Sequence, residues 1–282
     1  MVVRTSLKVI GRYDLLSPKN GAALLLGLAV GIGLLMLRLQ IEHPLAMGQP
    51  ASYHDFADKR PVLGLPNFWN VASNLPFAVI ALWGMVFLFP GTGERNQAFI
   101  NPRERWPYLV LFIGLFLTCF GSAWYHFAPS NATLVWDRLP MSIMFAGFVA
   151  AVITERIDVE FGIKLLPFLV LFSVGTVMQW YYSEVHGHGD LRWYAALQIY
   201  SVLVLLIAPT LRPRYTRNRD FLVVFALYAL AKIFETLDRR IYSLGHIVSG
   251  HTLKHLAAAM AGYWILRMLQ KRAPLPSEFI AH

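Results

Sequence analysis

The chain has 282 residues, 56% of them hydrophobic and only 15% charged, with a mean hydropathy of +0.50 and a net charge of +9. Soluble domains carry roughly 25% charged residues, so the composition excludes an ordinary soluble domain and reads as an all-α integral membrane protein. A single Cys119 excludes an internal disulfide framework, and no block of basic residues interleaved with aromatics supports nucleic-acid binding.

About 20 apolar residues cross a bilayer as a helix, and in lipid every backbone polar group must be satisfied within the segment. Eight spans are predicted on that ruler: 21–38, 68–89, 107–126, 134–154, 163–182, 193–210, 220–236 and 250–269. The charged N-terminus, MVVRTSLKVIGRYDLLSPKN, is followed by no small-residue cleavage site, so the first apolar segment reads as a retained helix rather than a signal peptide. The seventh is the least clean, because Lys232, Glu235 and Asp238 crowd its end. No repeat and no low-complexity tract interrupts the pattern.

Eight crossings put both termini on one side. By parity that side holds 16 of the 25 Lys and Arg residues, among them Arg95, Arg103, Arg105, Arg156, Arg212, Arg214, Arg217 and Arg219. The positive-inside rule makes it cytoplasmic. Histidine partitions the other way: His43, His54, His126, His186, His188, His246, His251 and His255 fall on the far side, and only His282 on the basic one. The expected location is a bacterial inner membrane, with both termini cytoplasmic and the histidines toward the periplasm.

The stretch GSAWYHFAPSNATLVWD, 121–137, closes the third span and opens the fourth. Ser122 and His126 are four apart and share a helix face. Asp137 starts the next span at the same depth, and the eighth begins SGHTLKHLAAAM, which puts His251 and His255 on one face at that depth too. Three neutral imidazoles with an open position suit a catalytic zinc ion (Zn2+), which lowers the pKa of its water to about 7. Asp137 is placed to take the water's proton, and the Ser122 hydroxyl to donate to an oxyanion. HTLKH lacks the glutamate of HExxH, so the soluble zinc-protease motif is absent.

A lone histidine in a span is more often packed than ligating, and Ser122 alone could serve helix packing. Ionisable groups in a membrane are nevertheless expensive and usually functional. Loop histidines such as His43 and His54 read as solvated. Trp69, Trp124, Tyr125 and Trp136 read as interfacial aromatics, Tyr263 and Trp264 as packing residues, and HGHGD at 186–190 as a glycine-bearing loop.

GSAWYH, then DRLPM beginning at Asp137, then HTLKH, resemble the alkaline ceramidases, within the superfamily that includes the adiponectin and progestin/adipoQ-type receptors. NFWNVASNLPF at 67–77 looks like the start of the first family helix. The resemblance covers roughly 55–270 and implies a seven-transmembrane-helix core, preceded here by one extra N-terminal transmembrane helix within 1–54 and followed by a cytoplasmic tail, 271–282. It also implies zinc held by His126, His251 and His255, with Asp137 on the zinc water and Ser122 beside the metal. The family's acidic calcium (Ca2+) site would have to use Asp55 and Asp58, and Asn67 stands where the family has a glutamate. Asn70, Ser73, Asn74 and Glu235 are expected behind the site or in helix packing.

The function expected is a zinc-dependent amide hydrolase of ceramide-like membrane lipids, releasing fatty acid and an amino-alcohol base. The alternatives are a receptor-like or lipid-binding protein that keeps the zinc and turns over little, and a metal or proton carrier. The last needs a polar path to the cytoplasmic side, where the spans hold few ionisable residues.

Overall fold

The computed structural model describes residues 15–42, 47–89 and 98–276. His43, Arg95 and His282 lie outside the described residues, as do 1–14 and 277–282 of the two terminal tails. The helices are α1 (Pro18–Glu42), α2 (Phe68–Ala72), α3 (Leu75–Leu88), α4 (Arg105–Phe127), α5 (Asn131–Arg156), α6 (Val159–Val185), α7 (Arg192–Ile207), α8 (Asp220–Thr236), α9 (Asp238–Ser243) and α10 (Gly250–Lys271). There is no β-strand among the described residues.

Six helices or helix pairs are long and apolar enough to cross a membrane: α1, α2 with α3, α4, α5, α6 and α7. The two remaining predicted spans also form helices but fall short on length or composition. α8 has 17 residues, and α10 carries His251, Lys254, His255, Arg267 and Lys271 among its 22. The surface is apolar where a soluble protein's would be polar. Leu26, Leu34, Phe168 and Leu171 are each more than 60% exposed, while Asn70, Asn74, Glu104 and Glu155 are buried. That inversion is the signature of helices whose solvent is lipid.

Around the bundle each helix from α3 to α8 packs on the next, and α10 closes the ring against α8 and α3. α5 is the most buried of the spans and also touches α7; α1 stands outside the ring, against α7 and α5.

Local chemistry sets the ends. α5 starts with a capping box: Ser130 Oγ accepts from the Thr133 amide at 3.2 Å, and Thr133 Oγ1 accepts from the Ser130 amide at 3.0 Å. Asp158 and Ser249 cap α6 and α10 in the same manner.

The predicted span 68–89 is not one continuous helix. Pro76 has no amide to give the Ala72 carbonyl, and Asn74 Nδ2 donates to the Asn70 carbonyl at 2.8 Å in place of backbone. The helix therefore breaks at Ser73 and Asn74, between α2 and α3.

Candidate metal centre

The closest helix pair in the bundle, α4 with α5, brings Ser122 and Asp137 together. Pro140 leaves the Trp136 carbonyl without its usual donor one turn on. Gly121 lies against that carbonyl so closely that a Cβ at 121 would overlap its oxygen. The absence of a side chain there lets the two helices touch at this level. Ser122 and Asp137, the next residue on each helix, are both buried, with the serine hydroxyl facing the carboxyl.

One turn past Ser122, His126 meets His251 and His255 of α10. The ring centroids are 4.7 Å apart for His126 and His251, 4.9 Å for His126 and His255, and 5.0 Å for the α10 pair. One nitrogen from each ring lies within 4.8 Å of the other two, and all three residues are buried. His126 Nε2 and His251 Nε2 are 3.3 Å apart, a contact in which only one of two neutral rings can carry the proton. His126 Nδ1 is buried with no hydrogen-bond partner. Three buried imidazoles facing one another fit a shared cation, and the donor set suits zinc. Asp137 is not a member of this ligand group. It lies beside it, in the field of Lys254.

The surrounding groups hold the rings in place. Ser73 Oγ is 2.8 Å from His255 Nδ1, which directs the other ring nitrogen toward the cluster. The helix break between α2 and α3 is what puts Ser73 there. Asn67 Nδ2 donates to the His126 carbonyl at 2.9 Å, and Asn67 adopts a left-handed backbone, φ +48°. Asn70 accepts from Thr252 Oγ1 at 3.1 Å and donates to the Asp58 carbonyl at 3.3 Å. Asn74 serves its own helix, as described above. Glu235 accepts from Lys254 Nζ at 2.7 Å, and that ammonium is 3.4 Å from His251 Nε2.

The start of α10 is pinned twice. Gly250 abuts the Phe234 carbonyl with no room for a Cβ, and Asp238 Oδ1 accepts from the His251 amide at 2.7 Å. The other oxygen of Asp238 accepts from Ala57 N at 3.0 Å. This carboxylate thereby ties the segment after α1 to the histidine helix. The tie seats the Phe56 ring 4.6 Å from His126 and 4.7 Å from His251, as a cover over the cluster. A cavity of about 400 Å³ opens beside His251, among Tyr53, Asp55, Phe56, Glu235 and Asp238.

Two expectations need correction. Tyr125 is not an interfacial aromatic: it is buried, with its hydroxyl 3.0 Å from His54 Nδ1. His54 is correspondingly not just solvated, since its Nε2 is 2.9 Å from Asn131 Oδ1. The tryptophans Trp69, Trp124 and Trp136 are each more than 40% exposed, as an interfacial position requires. His186 Nδ1 is 2.7 Å from the Tyr182 carbonyl at the end of α6, and no metal-ligating group forms around it among the described residues.

The acidic residues considered for calcium do not fit that ion. Arg60 grips Asp58 through two nitrogens, at 2.9 and 2.7 Å. Asp55 pairs with Lys59 at 2.5 Å and with Arg239. Burial raises the Asp58 pKa, but the hydrogen bonds from Arg60 outweigh it and hold the carboxyl below its ordinary value. These carboxylates already have their cations.

Sequence reasoning missed Phe56, Lys254 and Asp238. Lys254 had a signal, a lysine inside HTLKH one turn from a candidate ligand. Phe56 and Asp238 lie in connecting segments and had none. No known protein-family model matches the chain, and no curated protein matches its sequence.

Proposed function

We propose that the protein is a zinc-dependent intramembrane hydrolase of lipid amides, ceramide-like N-acyl lipids, releasing fatty acid and an amino-alcohol base. The observation that carries this reading is the buried convergence of His126, His251 and His255 beside Asp137 and Ser122. The motif resemblance to alkaline ceramidases supports it. The reading places all eight helices across the membrane, with the histidine end toward the periplasm and the arginine-rich end in the cytoplasm of a bacterial cell.

His126, His251 and His255 would hold the ion. Bound there, zinc supplies a water acidic enough to act as a nucleophile near neutral pH. Asp137 accepts that water's proton and passes it to the leaving nitrogen. Ser122 donates a hydrogen bond to the oxygen of the attacked carbonyl as charge develops on it. Ser73 and Asn67 fix the orientation of the imidazoles, and Phe56 limits access of bulk water. Glu235 neutralises Lys254, so that the ammonium does not oppose the cation. The substrate reaches the amide depth sideways from the bilayer, and the cavity beside His251 gives polar product a way out.

The test is zinc content and turnover together, on detergent-purified protein. The parent should carry about one zinc per chain and release fatty acid from a ceramide panel. His126→Ala and His251→Ala should lose both while keeping their helical content. A well-folded parent without zinc, or turnover that survives in a metal-free variant, overturns the reading. Zinc and bound lipid without any fatty acid release select the receptor-like alternative.

A further inference from the structure

At the end of the bundle opposite the histidines, where the sequence suggests few ionisable residues, Glu104, Glu155, Arg156, Asp220 and Arg272 are in fact buried. Arg272 pairs with Glu155 at 2.6 Å and stacks 4.0 Å over Tyr215. Arg214 pairs with Glu104 at 2.8 Å, and Tyr215 donates to the same carboxylate. Arg156 is left over. It is 4% exposed, its Nε and Nη1 have no hydrogen-bond partner, and the neighbouring Glu155 whose charge it feels is already bound to Arg272, with the face of Phe221 5.4 Å away. Two buried guanidinium groups thus share one carboxylate, and a guanidinium with unmet donors is costly and calls for a further anion.

Arg156 lines a cavity of about 410 Å³ together with Arg212, Arg214 and Thr154. The carboxylates on that wall are already engaged: Asp158 caps the Phe161 amide at 2.7 Å, and Glu160 pairs with Arg103. With Arg214 held by Glu104, the pocket sets Arg156 and Arg212 against the one unneutralised carboxylate, Asp158, and so keeps a positive excess at the α5–α6 turn where the spans end.

A second cavity, about 420 Å³ and almost wholly apolar, adjoins it. Ile157 lines both. This groove runs between α1 and the faces of α5, α6 and α7, along α5 from Ile157 to Ala146. At about 1.5 Å per residue that is about 16 Å, roughly half of the ~30 Å hydrocarbon core and so one leaflet deep. The backbone at Leu16 bonds to Thr210 and Arg212, which fixes the start of α1 beside the pocket.

We propose that these two cavities form one site for an anionic phospholipid, with its phosphate on Arg156 and Arg212 and one acyl chain in the groove that α1 closes. The groove gives a chain of one leaflet its length, and the pocket puts a phosphate at the depth where headgroups lie. A free anion uses only the first half of this site, and a fatty acid only the second.

The test uses the full chain in mild detergent, stripped of lipid, with thermal stability read on adding palmitoyl-oleoyl phosphatidylglycerol, palmitate or inorganic phosphate. The phospholipid should raise the melting temperature as a ligand of the native state does, and neither half-ligand should match it. Arg212→Gln should weaken the response from the pocket side, and Ala29→Trp, which fills the groove, from the chain side. Arg156→Gln should weaken it most, and since that variant is the one at risk of misfolding, the two others carry the test. Zinc retention at the histidines serves as the check on folding. An equal response to inorganic phosphate overturns the joined site. No response to phospholipid in a folded parent, or a full response in both Arg212→Gln and Ala29→Trp, overturns it altogether.

Discussion

The two ends of the bundle bury polar groups in opposite ways. At the histidine end the unpartnered ring atom is His126 Nδ1, in a cluster of three imidazoles whose donors suit a cation. At the other end the unpartnered atoms include Nε and Nη1 of Arg156, a residue on the wall of a pocket whose arginines suit an anion. The same rule, that buried polar groups are satisfied or functional, thus leads to ligands of opposite charge at either end. The lesson is to ask of a buried polar cluster which charge it still needs, rather than how many charges it holds.

The largest effects should come from groups that touch the reacting atoms at the histidine end, and they should leave the arginine end untouched. Asp137→Asn should lower kcat by about 10²–10⁴-fold, the usual range for a positioned acid–base group. Ser122→Ala should lower it by about 10²–10³-fold, as loss of one oxyanion donor does. Both should retain zinc and the stabilisation by phosphatidylglycerol, read by metal analysis and thermal melting. Loss of zinc in Asp137→Asn would make that residue a ligand, against its place outside the three-nitrogen group. Loss of the phospholipid response in either variant would show that the two ends are not independent.

A smaller effect is expected from the groups behind the ligands. Ser73→Ala removes the partner of His255 Nδ1 and should weaken zinc binding by about 10–100-fold, the common cost of losing a group that orients a ligand. Competition with a chelator measures it. Unchanged affinity would mean that packing alone holds the ring, which would blunt the contrast with the arginine end, where no hydrogen bond fixes Nε or Nη1 of Arg156.

Much of the histidine end was legible in the sequence, and little of the arginine end was. His126 and Ser122 share a face because they are four apart, as do His251 and His255, and helix parity brings both pairs to one depth. Those relations are periodic, so spacing carries them. Gly121 against Trp136, Phe56 over the rings and Asp238 joining two segments are contacts between distant parts of the chain, and no local period encodes them. The break at Ser73 was readable in principle from Pro76, but the apolar run around it masked the interruption. The positive-inside rule treats Arg156, Arg212 and Arg214 alike as topology signals and says nothing of why Nε and Nη1 of Arg156 are buried without a hydrogen bond. That fact depends on Glu104 and Glu155 being taken by other cations, which only the tertiary fold decides.

The smallest effect concerns the cover over the histidines, and its sign follows from one ion pair. Arg60 holds the Asp58 carboxyl below its ordinary pKa against the opposing effect of burial. A carboxyl whose folded pKa is lowered contributes stability above its unfolded pKa of about 3.9, and that contribution is lost as pH falls through the folded value. Asp58 also holds its backbone carbonyl to Asn70, so the segment carrying Phe56 should loosen first on acidification. Zinc release by imidazole protonation confounds this in the parent, so the comparison belongs in a metal-free His126→Ala background. There, limited proteolysis within 47–67 should speed up below about pH 4. In the Asp58→Asn double variant, cleavage should already be faster at neutral pH and change little with acid. An acid response of the same size in both would assign the loosening to another carboxylate, with Asp238, which joins Ala57 to His251, the next to replace.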